Sequence, residues 1–244
     1  MTKSLNKILA DIDDQGLRER IHSRLSRRKI DSVSRVARAA ERSSGDAAAF
    51  YTWLLGRCDG RQAEVALLRQ LASRKRSLWM QAAASLSLIG TPYVVPGLIR
   101  IVMRDRQPLR LEAGAYALGY IDSGAAGSAV ISALVGVLDS ADLPRVRAQA
   151  AEGLTQRLRF QRGQLRARAE RVLIEHLADE DSDVRFWCAY ATGELRTRAA
   201  VPALRRLVRD RTVVPGWWSV GMEARDALKV IAGGKWPDRI GSAV

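Results

Sequence analysis

Apolar positions recur at helical spacing along most of the chain, and a motif of small residues returns at a nearly constant interval. Its copies begin at Ala82, Gly114, Ala150, Cys188 and Ala224, so the steps are 32, 36, 38 and 36 residues. An earlier copy with larger side chains lies at 50–54. Small neighbouring side chains let another helix approach closely, and the Leu that follows in most copies fills the space between helices. No stretch alternates with period 2, so the pattern predicts helices and no sheet.

A second amphipathic segment follows most copies of the motif. These segments cover 62–72, 93–103, 128–138, 165–178 and 200–208. Gly or Pro stands at many of the joins, and acidic turns can cap the helices that follow them. The predicted unit is therefore a helix–turn–helix of about 35 residues. One such hairpin cannot bury its own apolar face, but five or six stacked hairpins can, so the sequence predicts an all-α, right-handed α-solenoid.

One copy carries a recognisable sequence. Residues 181–195, DSDVRFWCAYATGEL, followed by 198–204, RAAVPAL, resemble a bacterial HEAT-like repeat of the phycobilisome-lyase type. The chain departs from that pattern at Thr192, where Leu is usual, and at Leu111, where Arg is usual. The resemblance implies a solenoid of HEAT-like hairpins. It implies little about function, because such repeats serve many binding tasks and only a few enzymes.

The two ends differ from the repeats between them. Residues 1–42 place apolar side chains at helical spacing and are interpreted as a helical N-terminal cap. Residues 43–234 hold the HEAT-like repeats. The pair Gly233-Gly234 stops the last helix, so 235–244 is interpreted as a C-terminal tail, in which Trp236 is a candidate to dock back onto the repeats.

Charge and composition narrow the class of protein. The 244 residues are 47% hydrophobic, and 40 Lys and Arg against 26 Asp and Glu give a net charge of +14. Such a field attracts phosphate, acidic proteins or anionic lipid, although a GC-rich genome also enriches Arg. No apolar run reaches the roughly 18 residues of a membrane span. The N-terminus has no signal-like apolar segment, and Cys58 and Cys188 are interpreted as buried free thiols, so we expect a cytoplasmic protein.

Catalytic signals are nearly absent from the sequence. The pair Glu175-His176 occurs once, whereas HEAT-like hydroxylases of the deoxyhypusine type carry several His-Glu pairs to hold two irons. Cys58 and Cys188 do not have zinc-site spacing, and there is no phosphate-binding glycine loop. We therefore predict no catalytic residue, no metal and no cofactor. Two less favoured enzyme readings are a bilin-lyase-like protein and a HEAT-like DNA glycosylase, for which Asp183, Arg185 and Trp187 lie close in sequence.

Arginine clusters and a Trp pair are the candidate binding residues. In HEAT-type solenoids the second helices line the concave face, where their arginines can converge. The segment 128–138 carries no charge and interrupts this face, which favours a mixed protein-binding surface over a uniform nucleic-acid track. The Trp pair follows a Pro-Gly turn, and it is either a partner anchor or base-stacking platform, or it packs against the C-terminal tail. The candidate set is Arg100, Arg104, Arg159, Arg162, Arg166, Arg205, Arg206, Arg209, Trp217 and Trp218.

These observations lead to one main hypothesis and one alternative. The main hypothesis is a non-catalytic HEAT-repeat scaffold whose basic concave face binds an acidic partner protein. The alternative is nucleic-acid binding through backbone phosphates, which predicts affinity that falls steeply with salt. The partner's identity and the oligomeric state stay open.

Overall fold

The computed structural model describes residues 31–58 and 60–237, and most of these residues are helical. Within that part of the chain no strand forms, although an isolated antiparallel bridge pairs Val213 with Ser219. The predicted all-α class is therefore confirmed. The α-helices of the described residues are α1 (Asp31–Arg42), α2 (Gly45–Leu55), α3 (Arg61–Ala72), α4 (Trp79–Ile89), α5 (Val95–Arg104), α6 (Pro108–Tyr120), α7 (Gly127–Ser140), α8 (Pro144–Leu158), α9 (Gln164–Glu175), α10 (Ser182–Glu194), α11 (Val201–Leu207) and α12 (Val220–Ile231).

The chain divides into two compact units, which meet in sequence at Gly124 and Ala125. In the first unit α2, α4 and α6 pack side by side in one layer, and α3 and α5 pack against them in a second layer. Helix α1 packs on α2 and α3. This two-layer arrangement of helical hairpins is the one that the repeat pattern predicts.

The second unit repeats the same plan. Helices α8, α10 and α12, which carry the small-residue motif, form its first layer. Helices α7, α9 and α11 form its second layer, where α9 packs on α7 and a short 3-10 helix, His176–Ala178, links α9 to α11. The boundaries predicted at 42 and 234 stay predictions, since much of the expected cap, residues 1–30, and of the tail, 238–244, lies outside the described residues.

The small-residue motif brings the first-layer helices of the second unit close together. On α10 the side chains of Cys188, Ala189 and Ala191 are fully buried. A Cβ placed on Gly193 would lie 2.8 Å from Cα of Ala227 on α12, so only glycine fits there without a shift of the helix. Thr192 stands at the usual Leu position and is fully buried, and its hydroxyl donates to the Cys188 carbonyl at 2.9 Å. The buried polar group is therefore satisfied within its own helix.

An acidic turn fixes the start of α10. The Asp181 carboxylate accepts hydrogen bonds from the backbone N–H groups of Asp183 at 2.9 Å and Val184 at 3.4 Å. These groups have no partner inside the helix, so the side chain supplies one. The predicted capping role of the segment 179–183 is thus seen at Asp181.

We expect Asp181→Ala to lower the free energy of unfolding by about 1 kcal/mol, the usual cost of removing an N-cap side chain. Urea unfolding followed by tryptophan fluorescence measures it. Asp181→Asn is the matched control, because asparagine caps about as well as aspartate and should leave most of the stability in place. Equal losses in both variants would contradict a capping role.

Candidate functional site

Some arginines are committed to holding consecutive repeats together. The Arg147 guanidinium donates to both carboxylate oxygens of Asp179, at 2.8 and 2.9 Å, and also to the Ala141 carbonyl at 2.9 Å. One repeat later, Arg185 bonds Asp210 at 2.9 Å and the Asp179 carbonyl at 2.8 Å. These two arginines are structural, because most of their donors point into the turns between hairpins.

Three of the predicted site residues, two in the turn between α8 and α9 and one at the start of α9, have different environments. Arg166 donates to Glu170 at 2.7 Å and to the carbonyls of Leu158 and Leu195, at 3.0 and 2.9 Å. Its guanidinium is therefore largely occupied inside the fold. Arg159 is about half exposed and pairs with Glu194 at 2.9 Å. Arg162 is exposed, and its contacts are to carbonyls of its own turn.

The second-layer helices α9 and α11 of the second unit, with the turn that follows α11, carry a set of arginines whose side chains make no polar contact with the rest of the described chain. Each of these side chains is exposed, and none has a hydrogen-bond or ion-pair partner within the described residues. Two lie three positions apart on α9 and therefore share its outer face. We name the set the α9–α11 arginine surface; it consists of Arg168, Arg171, Arg205, Arg206 and Arg209.

Two members of this surface were not in the predicted set. Arg168 and Arg171 lie on the exposed face of α9, along with Gln164 and Glu175. The helical spacing of apolar residues in α9 could have predicted this exposed face, because Ala169, Val172 and Leu173 form the buried face of the helix.

The remaining predicted arginines lie in the first unit. Arg100 and Arg104 are exposed and stand four positions apart on α5, so they share one face of that helix. The neighbouring Met103 is also exposed. This pair belongs to the first unit and is not part of the α9–α11 arginine surface.

Helix α7 adjoins α9 and carries little charge. Its exposed residues include Ser128, Ala129 and Ser132, and Asp139 is the only charged residue along its length. The exposed face of the second layer in this unit is thus nearly uncharged at α7 and cationic at α9 and α11.

The two side chains of the Trp217-Trp218 pair differ in exposure, since Trp217 is exposed and Trp218 is partly buried. The Trp218 indole N–H donates to the Glu223 carboxylate at 2.7 Å, and its ring lies 5.9 Å from the buried Phe186 ring. Trp217 is 43% exposed and packs edge-on against Trp187, with centroids 5.4 Å apart. Trp218 therefore anchors the loop before α12, whereas Trp217 keeps surface that a partner can contact.

Trp236 docks onto α10. Its ring lies 5.3 Å from the Tyr190 ring, and its indole N–H donates to Glu194 at 3.0 Å. Burial raises the pKa of the Tyr190 hydroxyl, and the nearby Glu194 carboxylate adds to the effect. Trp217 and Trp236 contact opposite ends of the same short aromatic row on α10, formed by Trp187 and Tyr190.

Two of the candidate catalytic residues, His176 and Arg185, have structural partners. His176 Nδ1 lies 2.8 Å from Asp179, the carboxylate that Arg147 also holds. Burial raises the pKa of Asp183, with Asp181 adding to it, but the nearby Arg185 is bonded to Asp210. The described residues hold no cluster of three or more His, Cys, Asp or Glu side chains that could bind a metal ion.

The first unit contains an open cavity of about 450 Å³ between α1 and α3. Arg61 and Tyr93 line it, and the Arg61 guanidinium lies over the Tyr93 ring at 3.6 Å. The side chains of Arg38, Glu41 and Arg69 also line it, and none of the predicted site residues does. Among the described residues, no single helix is long and apolar enough to cross a membrane, although Pro108–Tyr120 and Gly124–Ser140 meet that test as a broken pair.

Comparison with known proteins agrees with this architecture. Residues 131–214 match the family model of HEAT repeats, so this part of the chain carries HEAT-like repeats, as predicted. It is similar to the structure of the complex of CpcE and CpcF of phycocyanin lyase from Nostoc sp. PCC7120, with 21% identity, a TM-score of 0.57, and coverage of 67% of this chain and 99% of that one.

A second similar structure is importin beta in an ammonium sulfate condition. The identity is 16% and the TM-score 0.56, over 94% of this chain and 41% of importin beta. At these identities both likenesses show the fold alone. The curated proteins contain no significant match to the sequence.

Proposed function

We propose that this HEAT-like repeat protein is a non-catalytic scaffold that binds an acidic protein partner on the α9–α11 arginine surface. The observation that carries the proposal is the exposure of Arg205, Arg206 and Arg209 with no carboxylate partner among the described residues. Elsewhere in the same unit, Arg147 and Arg185 are held by Asp179 and Asp210. A cationic surface with unpaired guanidiniums favours carboxylates or phosphates of a partner.

An acidic protein fits the surroundings better than a nucleic-acid backbone does. A phosphate backbone is best met by a continuous basic track, but α7 beside α9 offers Ser, Ala and one Asp. Glu175 on α9 and Glu180 after it are also exposed, and carboxylates repel phosphates. A partner protein with mixed polar and acidic residues can contact both helices.

Other observations support the same proposal. The solved structure of CpcE and CpcF is a complex of two proteins, which gives a protein-bound precedent for this fold. Trp217 offers an exposed aromatic edge of the kind that anchors protein interfaces. We also propose that the protein is cytoplasmic, which the two buried free thiols Cys58 and Cys188 support.

We expect Arg205→Glu/Arg209→Glu to weaken binding of a labelled peptide of Glu and Leu residues about tenfold, since two exposed attractions become repulsions. Fluorescence anisotropy at two salt concentrations measures this, with a labelled DNA duplex titrated in parallel. For the wild-type protein, the affinity for the peptide should fall less steeply with salt than the affinity for the duplex.

Arg74→Glu/Arg225→Glu is the matched control, because both residues are exposed and the net charge changes by the same amount. It should leave peptide affinity nearly unchanged. Equal weakening in both double variants would show a nonspecific effect of net charge and overturn the proposed surface. Tight binding of the duplex that collapses with salt, without peptide binding, would replace the scaffold by the nucleic-acid alternative.

A further inference from the structure

Phe160 is the most exposed large apolar side chain of the described residues. It is 92% exposed, while Leu158, two positions earlier at the end of α8, is fully buried. The ring lies in the short turn between α8 and α9, with Arg159 and Arg162 on either side and Gly163 at φ +79. An aromatic ring left in water at the tip of a turn gains free energy when another surface covers it.

Hydrogen bonds align this turn with two later ones along the same edge of the second unit. Arg159 bonds Glu194, at the end of α10. Glu194 in turn accepts from the Trp236 indole, after α12. Arg196 adds a bond to the Gly234 carbonyl at 3.3 Å. The ends of α8, α10 and α12 therefore lie at one edge, which we name the Phe160 edge, made of residues 159–163, 195–199 and 232–237.

The Phe160 edge carries cations and no acid. Its three segments contain no Asp or Glu. Two acidic residues adjoin these segments in the chain. The Glu194 carboxylate is covered by Arg159 and Trp236, and Asp238 lies outside the described residues. The edge contains the exposed basic residues Arg159, Arg162, Arg196, Arg198 and Lys235.

We propose that the Phe160 edge binds the surface of an anionic lipid bilayer, with Phe160 entering the interface between headgroups and acyl chains. Arginine and lysine side chains bury their stems while their charges stay among lipid phosphates, which suits a ring of cations around one apolar residue. Several cations together with one apolar side chain give reversible, peripheral binding. This inference is separate from the proposed scaffold function, which uses the outer faces of α9 and α11.

A membrane surface fits this edge better than a nucleic-acid strand. Sites for single strands stack successive bases on several aromatic faces along a groove. Within the described residues the edge offers one free ring, because Trp236 is packed on Tyr190. A flat anionic surface needs only cations at one level and a single apolar side chain between them, and the three aligned turns supply both.

The test is co-sedimentation of the full chain with vesicles of phosphatidylcholine containing about one part in three phosphatidylserine, or none. The wild-type protein should sediment with the anionic vesicles only. Phe160→Ala should lower the partition coefficient about fivefold, and Lys235→Glu at least as much. Phe160→Trp should keep or raise binding, because tryptophan favours the interface.

Matched controls come from the loop before α12, where Val213 and Arg211 are exposed. Val213→Ala and Arg211→Glu should bind anionic vesicles as the wild-type protein does, and circular dichroism checks that all variants fold. Equal binding to neutral vesicles, no binding to anionic ones, or an unchanged partition coefficient in Phe160→Ala overturns the proposal. Loss of single-stranded oligonucleotide binding in Phe160→Ala, without vesicle binding, would assign the ring to base stacking instead.

Discussion

Replacing Arg147 with Met should lower the free energy of unfolding of the second unit by about 3 kcal/mol, the cost of removing one partner of a buried ion pair. The Arg147 and Asp179 side chains are only 10% and 5% exposed, and two hydrogen bonds join them. Without the guanidinium, the Asp179 charge stays buried. The carbonyls of Ala141 and Asp142 also lose a donor.

Urea unfolding followed by tryptophan fluorescence measures this loss. Four of the six tryptophans lie at Trp187, Trp217, Trp218 and Trp236, so the signal reports mainly on the second unit. Arg168→Met is the matched control: it removes an exposed arginine with no partner among the described residues, and should change stability by less than about 0.5 kcal/mol. Arg147→Met/Asp179→Leu should be less destabilised than the sum of the single variants, because the two side chains interact directly.

The loss in Arg147→Met depends on pH in a defined direction. Burial raises the pKa of the Asp179 carboxyl, but hydrogen bonds from Arg147, from the Asp181 backbone and from His176 together hold that pKa below its ordinary value. A depressed folded-state pKa stabilises the protein above the unfolded-state pKa of about 4, and this contribution is lost as pH falls through the folded-state pKa. The difference between wild type and variant should therefore shrink below about pH 4. A constant difference down to acid unfolding would contradict the ion-pair explanation.

The layers of the fold were predictable because each depends on local spacing. The motif starting at Cys188 lies on α10, and the second amphipathic segment predicted at 200–208 corresponds to α11, Val201–Leu207. Both signals need only the period of a helix and the stop residues around it. The substitution of Thr192 for Leu did not disturb the repeat, because its hydroxyl finds an acceptor one turn earlier.

The division of arginines into structural and free ones was not predictable from spacing. Arg166 and Arg168 both stand in the same basic segment, yet Arg166 reaches the Leu195 carbonyl, 29 positions away, while Arg168 points outward. That difference depends on which turn of the next repeat lies opposite each side chain. The exposure of Phe160 was not predictable either, because it depends on the position at which α8 ends and not on composition.

Gly193→Val should lower the free energy of unfolding of the second unit by about 2–3 kcal/mol, as expected for overpacking at a close helix contact. A Cβ at this position would lie 2.8 Å from both Cα and Cβ of Ala227 and 2.9 Å from the Trp236 ring. The ring can move, but the Ala227 Cα belongs to α12, so the whole helix must shift away from α10. That shift also weakens the packing of Ala189 and Ala191, which the motif buries in the same layer.

Gly97→Val on α5 is the matched control for this substitution. Its new Cβ would first meet Cδ2 of Leu68, the far end of a flexible side chain that can rotate away. We therefore expect a loss below about 1 kcal/mol there, although the residue change and the helical setting are the same. Similar losses at Gly193 and Gly97 in urea unfolding would mean that valine itself disfavours these helices. A larger loss at Gly193 would locate the cost in the contact between α10 and α12, the contact that the small-residue motif exists to permit.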